Sequence, residues 1–198
     1  MGAGILPCTI HNNKLYFLFG KENKYADTPG WSDFGGGKDN NETPIQTALR
    51  EGTEEFTGFL GDEKDIKKLL KAGVYKIEFN PGSSSGSIYT MHIFPMEYDA
   101  KLPMYYNNNQ RFLQKKMSTK LMKESKVFEK SEIKWMSLDD ICKHKTKFRK
   151  YFKKACYLLY NEKKRIEEFI RKRLGKTIST TRTRKSITKP KTRTRKLR

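Results

Sequence analysis

Between Gly36 and Phe59 the chain reads GGKDNNETPIQTALREGTEEFTGF, and no other stretch restricts the fold as strongly. Thr43-Pro44-Ile45-Gln46 reads as a helix start. Thr43 suits the cap, Pro44 the first helical position, and Gln46 the place of a capping-box partner. Ile45, Ala48, Leu49, Gly52 and Phe56 then recur at i, i+3, i+4, i+7 and i+11, one packed face of a helix. At about 100° per residue, Glu51, Glu54 and Glu55 share a neighbouring arc. Three carboxylates so close repel one another and oppose full ionisation unless a cation lies among them. Ligands that are all oxygen suit Mg2+ or Mn2+ rather than zinc. Upstream, Gly35-Gly36-Gly37 allows a tight loop whose backbone can approach an ion or a phosphate. A run of Glu on a helix is most often a solvated face. Glu42, Arg50 and the glycines at fixed offsets favour the metal site instead.

The spacing of Gly36, Glu42, Arg50, Glu51, Glu54 and Glu55 resembles the Nudix box, G-x5-E-x7-R-E-U-x-E-E-x-G-U, where U is bulky and apolar. At ordinary residue usage, a given start matches all six by chance at roughly one in ten million. Two positions depart from the pattern. Gly52 stands where an aliphatic residue is usual, which places the helix closer to its sheet. The closing glycine, Gly58, comes one residue late.

The resemblance implies an α/β fold, a Nudix-type α/β/α sandwich with a mixed sheet. It implies attack of water on a diphosphate with Mg2+ or Mn2+ as cofactor. Carried onto this chain, Glu54 and Glu55 become metal ligands, and Glu51 a ligand or the base. Arg50 would orient a carboxylate by a bidentate pair. Glu42 and Gly36 would support the loop, with Glu42 also a candidate for the metal set, and the carbonyl of Gly35 would be a further ligand. Many members carry a later catalytic or metal-binding Glu. Glu129 and Glu132 both lie where it falls, with Glu129 preferred, and each also reads as an exposed loop carboxylate.

The 198 residues are expected to divide into a Nudix domain over residues 1–160, the end of a basic helix over 161–175 and a disordered basic tail over 176–198. Apolar content of 35% is low, yet 12 Phe and 10 Tyr suffice for one core. Cys8, Cys142 and Cys156 are scattered and odd in number, reading as reduced thiols of an intracellular protein. No signal peptide or membrane span is expected. The localisation expected is cytoplasmic, with nuclear entry open because of the tail. Of the net charge of +20, 13 Lys or Arg and no acid fall in Arg171–Arg198. That segment contains TRTRK twice, and its composition predicts disorder and contact with a polyanion. Arg182, Arg184, Lys185, Arg193, Arg195 and Lys196 are its candidate nucleic-acid contacts. A localisation signal or a solubilising tail are the plainer readings.

Elsewhere a hairpin is expected around His11–Lys14, and a short strand over Trp31–Gly35. A small helix is expected over Asp62–Lys71, with strands over Val74–Phe79 and Ile88–Met96 joined by a turn-rich loop over Asn80–Gly86. Asn107–Lys126 reads as a helical insertion with Phe112, Leu113, Met117, Leu121 and Met122 on its packed side. It forms either a wall over the substrate or a plain surface helix. Ile133–Ile141 reads as a strand entering a short helix, and a long helix is expected from Phe148 to Leu174.

The box leaves the substrate open. The basic surface exceeds what a small nucleotide needs, and Tyr16, Phe19, Tyr25, Trp31 and Phe34 offer rings near the pocket for a methylated guanine. Each such ring is more often core. The GWSDFGGG loop, the REGTEE helix and the Lys/Asn richness are similar to Nudix proteins of large cytoplasmic DNA viruses, a group that includes mRNA-decapping enzymes. Capped RNA is therefore the expected partner. Free nucleoside diphosphate derivatives, diphosphoinositol polyphosphates and a silent RNA-binding module are the alternatives.

Overall fold

The computed structural model describes residues 1–82, 87–124 and 129–174. A mixed sheet of seven strands starts from a hairpin, β1 (Gly2–His11) and β2 (Lys14–Glu22). Its turn residues Asn12 and Asn13 both have positive φ, 48° and 58°, as a two-residue primed turn requires. Register runs from His11↔Lys14 to Cys8↔Phe17, and then the two strands part. β3 (Trp31–Ser32) pairs the far end of β2 at Gly20 and Lys21. β4 (Phe34–Gly37) pairs the far end of β1 at Gly2–Ile5. The segment 31–37 thus fills a fork and changes partner at Asp33. β6 (Tyr89–Pro95) runs parallel to β1, with β5 (Tyr75–Phe79) antiparallel to β6 and β7 (Lys130–Ser137) antiparallel to β2.

Strand periodicity divides the apolar side chains between two layers. Ala3, Ile5, Leu18 and Phe34 face one side, packed with α1 (Pro44–Phe56), α2 (Glu63–Lys71) and α3 (Lys101–Lys116). Leu6, Cys8, Phe17 and Phe19 face the other. There they meet α5 (Leu138–Lys143), α6 (Lys153–Asn161) and the helical residues 163–174. This is the α/β/α sandwich of the Nudix fold. A Cβ on Gly52 would lie 2.3 Å from Ile5 Cδ1, so α1 sits on β1 closer than a larger residue would allow with Ile5 in its present place.

Three expectations change. α3 begins at Lys101, six residues before the expected Asn107, because Pro103 occupies the first turn, where its missing N–H is not needed. Its packed side is Tyr106 and Gln110, and Phe112 points outward, 61% exposed. α4 (Thr119–Glu124) follows, and the expected end of the insertion at 125–126 lies outside the described residues. The late helix is also broken. Arg149 N–H donates to Trp31 O (3.0 Å) and Phe148 bridges to Trp31, which holds 148–149 extended at the sheet edge. Helix therefore starts at Lys153 and turns at Glu162, whose carboxylate accepts from Tyr75 (2.7 Å). Residues 83–86 of the turn-rich loop and the tail 175–198, with Arg182, Arg184, Lys185, Arg193, Arg195 and Lys196, also lie outside the described residues. Among the described residues no helix is long and apolar enough to cross a membrane.

Candidate metal centre

α1 starts as its sequence directs: Thr43 N–H donates to the Gln46 side chain (2.8 Å), with Pro44 next in the first turn. One turn on, Arg50 gathers the loop. Its Nε and Nη2 donate to the two oxygens of Glu42 at 2.9 and 3.2 Å, and Nη1 donates to Glu51 at 2.8 Å. Nη2 also reaches the Gly37 carbonyl at 3.0 Å. Thr47 Oγ1 and the Asp39 N–H add two more donors to Glu42. The Arg50 hydrogen bonds hold the Glu42 carboxyl down at about 2, and Glu42 in turn raises the Arg50 guanidinium above its ordinary value. The bidentate partner of Arg50 is thus Glu42, and its third nitrogen fixes Glu51.

Glu51 lies against the glycine ribbon. A Cβ on Gly36 would stand 2.6 Å from Glu51 Oε1, so this carboxylate occupies space that any other residue would fill. Oxygens of Glu51, Glu55 and Glu129 come within 4.8 Å of one another. Bonds of 2.0–2.1 Å to one octahedral cation would bring them to about 3–4 Å, a small side-chain adjustment. Glu55 is fully buried, and its Oε2 has no hydrogen-bond partner among the described residues. Burial pushes the Glu55 carboxyl well above the ordinary range; Lys130 opposes this, and Glu22 and Glu129 reinforce it. A buried acceptor beside two further carboxylates is what a divalent cation would satisfy. An all-oxygen set fits Mg2+ or Mn2+.

Not every expected residue joins this trio. Glu54 stands outside it, with Oε2 3.7 Å from Arg50 Nη1. Glu132 belongs to β7 and pairs with Lys21 at 3.4 Å, whereas Glu129 enters the trio. Gly35, Gly36 and Gly37 line the same cavity of about 530 Å3 as Glu51, Glu55 and Glu129.

Of the expected rings, Tyr25 alone lines this cavity. Phe19, Trp31 and Phe34 are core, Phe34 stacked on Phe56 at 3.8 Å. Tyr16 packs beside Tyr98 and His11 near the hairpin turn. The correction has one cause: alternating strand residues on both faces of a covered sheet are buried, so nearness in sequence to the glycine loop does not bring a ring to the cavity.

A second group went unread in the sequence. Lys130, fully buried at the start of β7, donates to Glu22 and to Ser32 Oγ (3.0 Å) and pairs with Glu55 Oε1 at 3.2 Å. Arg149 Nη1 donates to the same Glu22 oxygen at 2.6 Å, and Arg149 also lines the cavity. Burial opposes the Lys130 charge, but Glu55 and Glu22 outweigh it and hold the ammonium above its ordinary value. In the fork, buried Asp33 accepts from the Tyr89 hydroxyl with both oxygens at 3.0 Å; burial raises its carboxyl to about 7 against the pull of Lys130 and Tyr89. β7 carries Lys130, Glu132 and Lys134 alike, so nothing local in the sequence marked Lys130 for burial.

No family model matches the chain. A 56-residue segment is 45% identical to an uncharacterized protein of Acanthamoeba polyphaga mimivirus, covering 27% of this chain and 18% of that protein's length. Among solved structures, an Ap4A hydrolase of C. elegans in a binary complex aligns at a TM-score of 0.50 and 15% identity, over 85% of this chain and 99% of that one. A bifunctional NMN adenylyltransferase/ADP ribose pyrophosphatase of Francisella tularensis, complexed with AMP and a Mn ion, aligns at 0.50 and 18%, over 81% and 41%. At these identities the likeness is one of fold.

Proposed function

We propose that the protein is a divalent-metal-dependent pyrophosphohydrolase of the Nudix type, cleaving the cap of mRNA to release methylated guanosine diphosphate. The observation that carries the hydrolase reading is the trio of buried Glu51 and Glu55 with half-buried Glu129 beside a ribbon without side chains, with Glu55 Oε2 left as a buried acceptor. A silent RNA-binding module would have little use for that arrangement. Support for RNA as the substrate comes from the net charge of +20 and the basic tail.

When bound, Mg2+ or Mn2+ supplies charge neutralisation at the phosphate oxygens and a more acidic water. The chain's own residues prepare the place. Arg50 holds Glu51 in one orientation and ties α1 to the loop that begins at Gly37. Lys130 occupies one oxygen of Glu55 and leaves the other, Oε2, as the atom that would hold a cation. Glu129 closes the trio from the entry of β7, and Glu51 or Glu129 takes the proton of the attacking water. Gly37, whose missing side chain leaves open space, lets the diphosphate approach the main chain closely.

A second reading keeps the chemistry and takes free nucleoside diphosphate derivatives or diphosphoinositols as substrate. The names of the two structural neighbours, Ap4A hydrolase and ADP ribose pyrophosphatase, favour the nucleotide form of it. Cap-labelled RNA incubated with Mg2+ or Mn2+ separates the readings. The wild type should release methylated guanosine diphosphate, and Glu55→Gln should be slower by about 10²–10⁴. Intact capped RNA with turnover of free nucleotides would remove the RNA reading alone. Normal turnover by Glu55→Gln would remove the metal centre.

A further inference from the structure

The insertion between β6 and β7 has a use that the metal centre does not explain. Residues 101–124 contain six Lys or Arg and one acid. α3 is anchored on its inner side. Tyr106 donates to the Glu55 carbonyl at 2.7 Å, and Asn107 exchanges hydrogen bonds with the Ile133 backbone at 2.7 and 3.1 Å. Its outer side carries two large rings in water, Tyr105 at 55% and Phe112 at 61% exposure. Seven residues is close to two turns, so these rings share one side, about 10 Å apart along the axis. Asn108, Arg111, Lys115 and Lys116 are exposed around them. Past the end of α3, Met122 and Lys123 of α4 line the cavity that holds the acidic trio.

We infer that the outer side of α3, continued by Lys123, is the surface along which single-stranded RNA runs into the cavity. The inference rests on the RNA reading above. Rings interleaved with cations fit a polynucleotide: bases stack on Tyr105 and Phe112, and phosphates meet Arg111, Lys115 and Lys116. A protein partner would call for a continuous apolar patch, but Lys, Arg and Asn separate these side chains. A membrane surface would be met by an amphipathic helix with its apolar side free, and the better packed side of α3 is already against β7.

The test uses the full chain and labelled, uncapped oligoadenosine RNA in EDTA, read by fluorescence anisotropy. Binding is then measured whether or not the chain turns over any substrate. Tyr105→Ser/Phe112→Ser should weaken binding about tenfold or more at every salt concentration, because stacking releases no counterions. Lys115→Gln/Lys116→Gln should instead lower the slope of log affinity against log salt by roughly 0.7 per lysine. Thermal melts unchanged from the wild type exclude unfolding as the cause. RNA affinity within twofold of wild type for both variants would overturn the inference. So would retained RNA binding with lost affinity for vesicles of mixed phosphatidylcholine and phosphatidylserine. Failure of decapping with this binding pattern intact would fall on the proposed reaction and leave the surface standing.

Discussion

Lys130 Nζ lies 3.2 Å from Glu55 Oε1, and both side chains are sealed from solvent. A buried ammonium at the heart of an acidic cluster is an internal counter-charge. It makes the cluster tolerable to the fold before any cation arrives, and it commits one Glu55 oxygen while the other stays available. Removing one partner of such a pair leaves an uncompensated charge, commonly at a cost of about 3–5 kcal/mol.

Lys130→Met is therefore expected to lose stability on that scale in urea denaturation. Mn2+ should recover part of the loss, since a cation that binds only the folded chain stabilises it and replaces the missing charge. A variant as stable as the wild type would mean that Glu55 and Glu22 do not depend on Lys130.

Gly36→Ala places a methyl group 2.6 Å from the nearest Glu51 oxygen. The carboxylate must then leave its position, while the β4 strand keeps its register. Mn2+ affinity, measured by calorimetry, should fall by about 10–100-fold, the usual cost of disturbing the orientation of a ligand. The melting temperature should change little.

Gly52→Ala drives a methyl group to 2.3 Å from Ile5 Cδ1. Overpacking of this kind costs about 1–3 kcal/mol. Ile5→Val removes that Cδ1, so the double variant should recover part of the loss, and a double-mutant cycle in urea measures the coupling.

Asp33 gives the protein a pH dependence of known sign. Its carboxyl titrates near 3.8 when unfolded and at about 7 when folded. Between those values the unfolded chain is ionised while the folded chain keeps its proton. The contribution is full below the lower value and drains as pH rises to about 7, by an amount on the order of a few kcal/mol. Asp33→Asn, whose amide can still accept from Tyr89, should flatten the decline in urea midpoint over that range.

Local spacing made the box helix legible, including its start at Thr43-Pro44 and its close approach at Gly52. A bidentate pair between Arg50 and a carboxylate was legible, but which carboxylate was not; it is Glu42, on the same loop-and-helix unit. Lys130, Glu22, Ser32 and Asp33 were not legible, because β7, β2, β3 and the fork bring them together from separate parts of the chain. The rings failed for the opposite reason. Phe34 is adjacent to the glycines in sequence, yet strand alternation turns it into the core against Phe56. α3 starts six residues before the expected Asn107, and its first turn accommodates Pro103.

The ribbon Gly35–Gly37 has a consequence for how such a chain can change over generations. Bulk at Gly35 would run into the β1 backbone and bulk at Gly36 would displace Glu51, so neither can be exchanged to favour one leaving group over another. Preference can instead be written at Gly37, where a side chain meets open space, and at Tyr25 and Lys123, which line the cavity from a loop and from an inserted helix outside α1. A lineage can therefore swap its selectivity parts while inheriting the reaction centre intact.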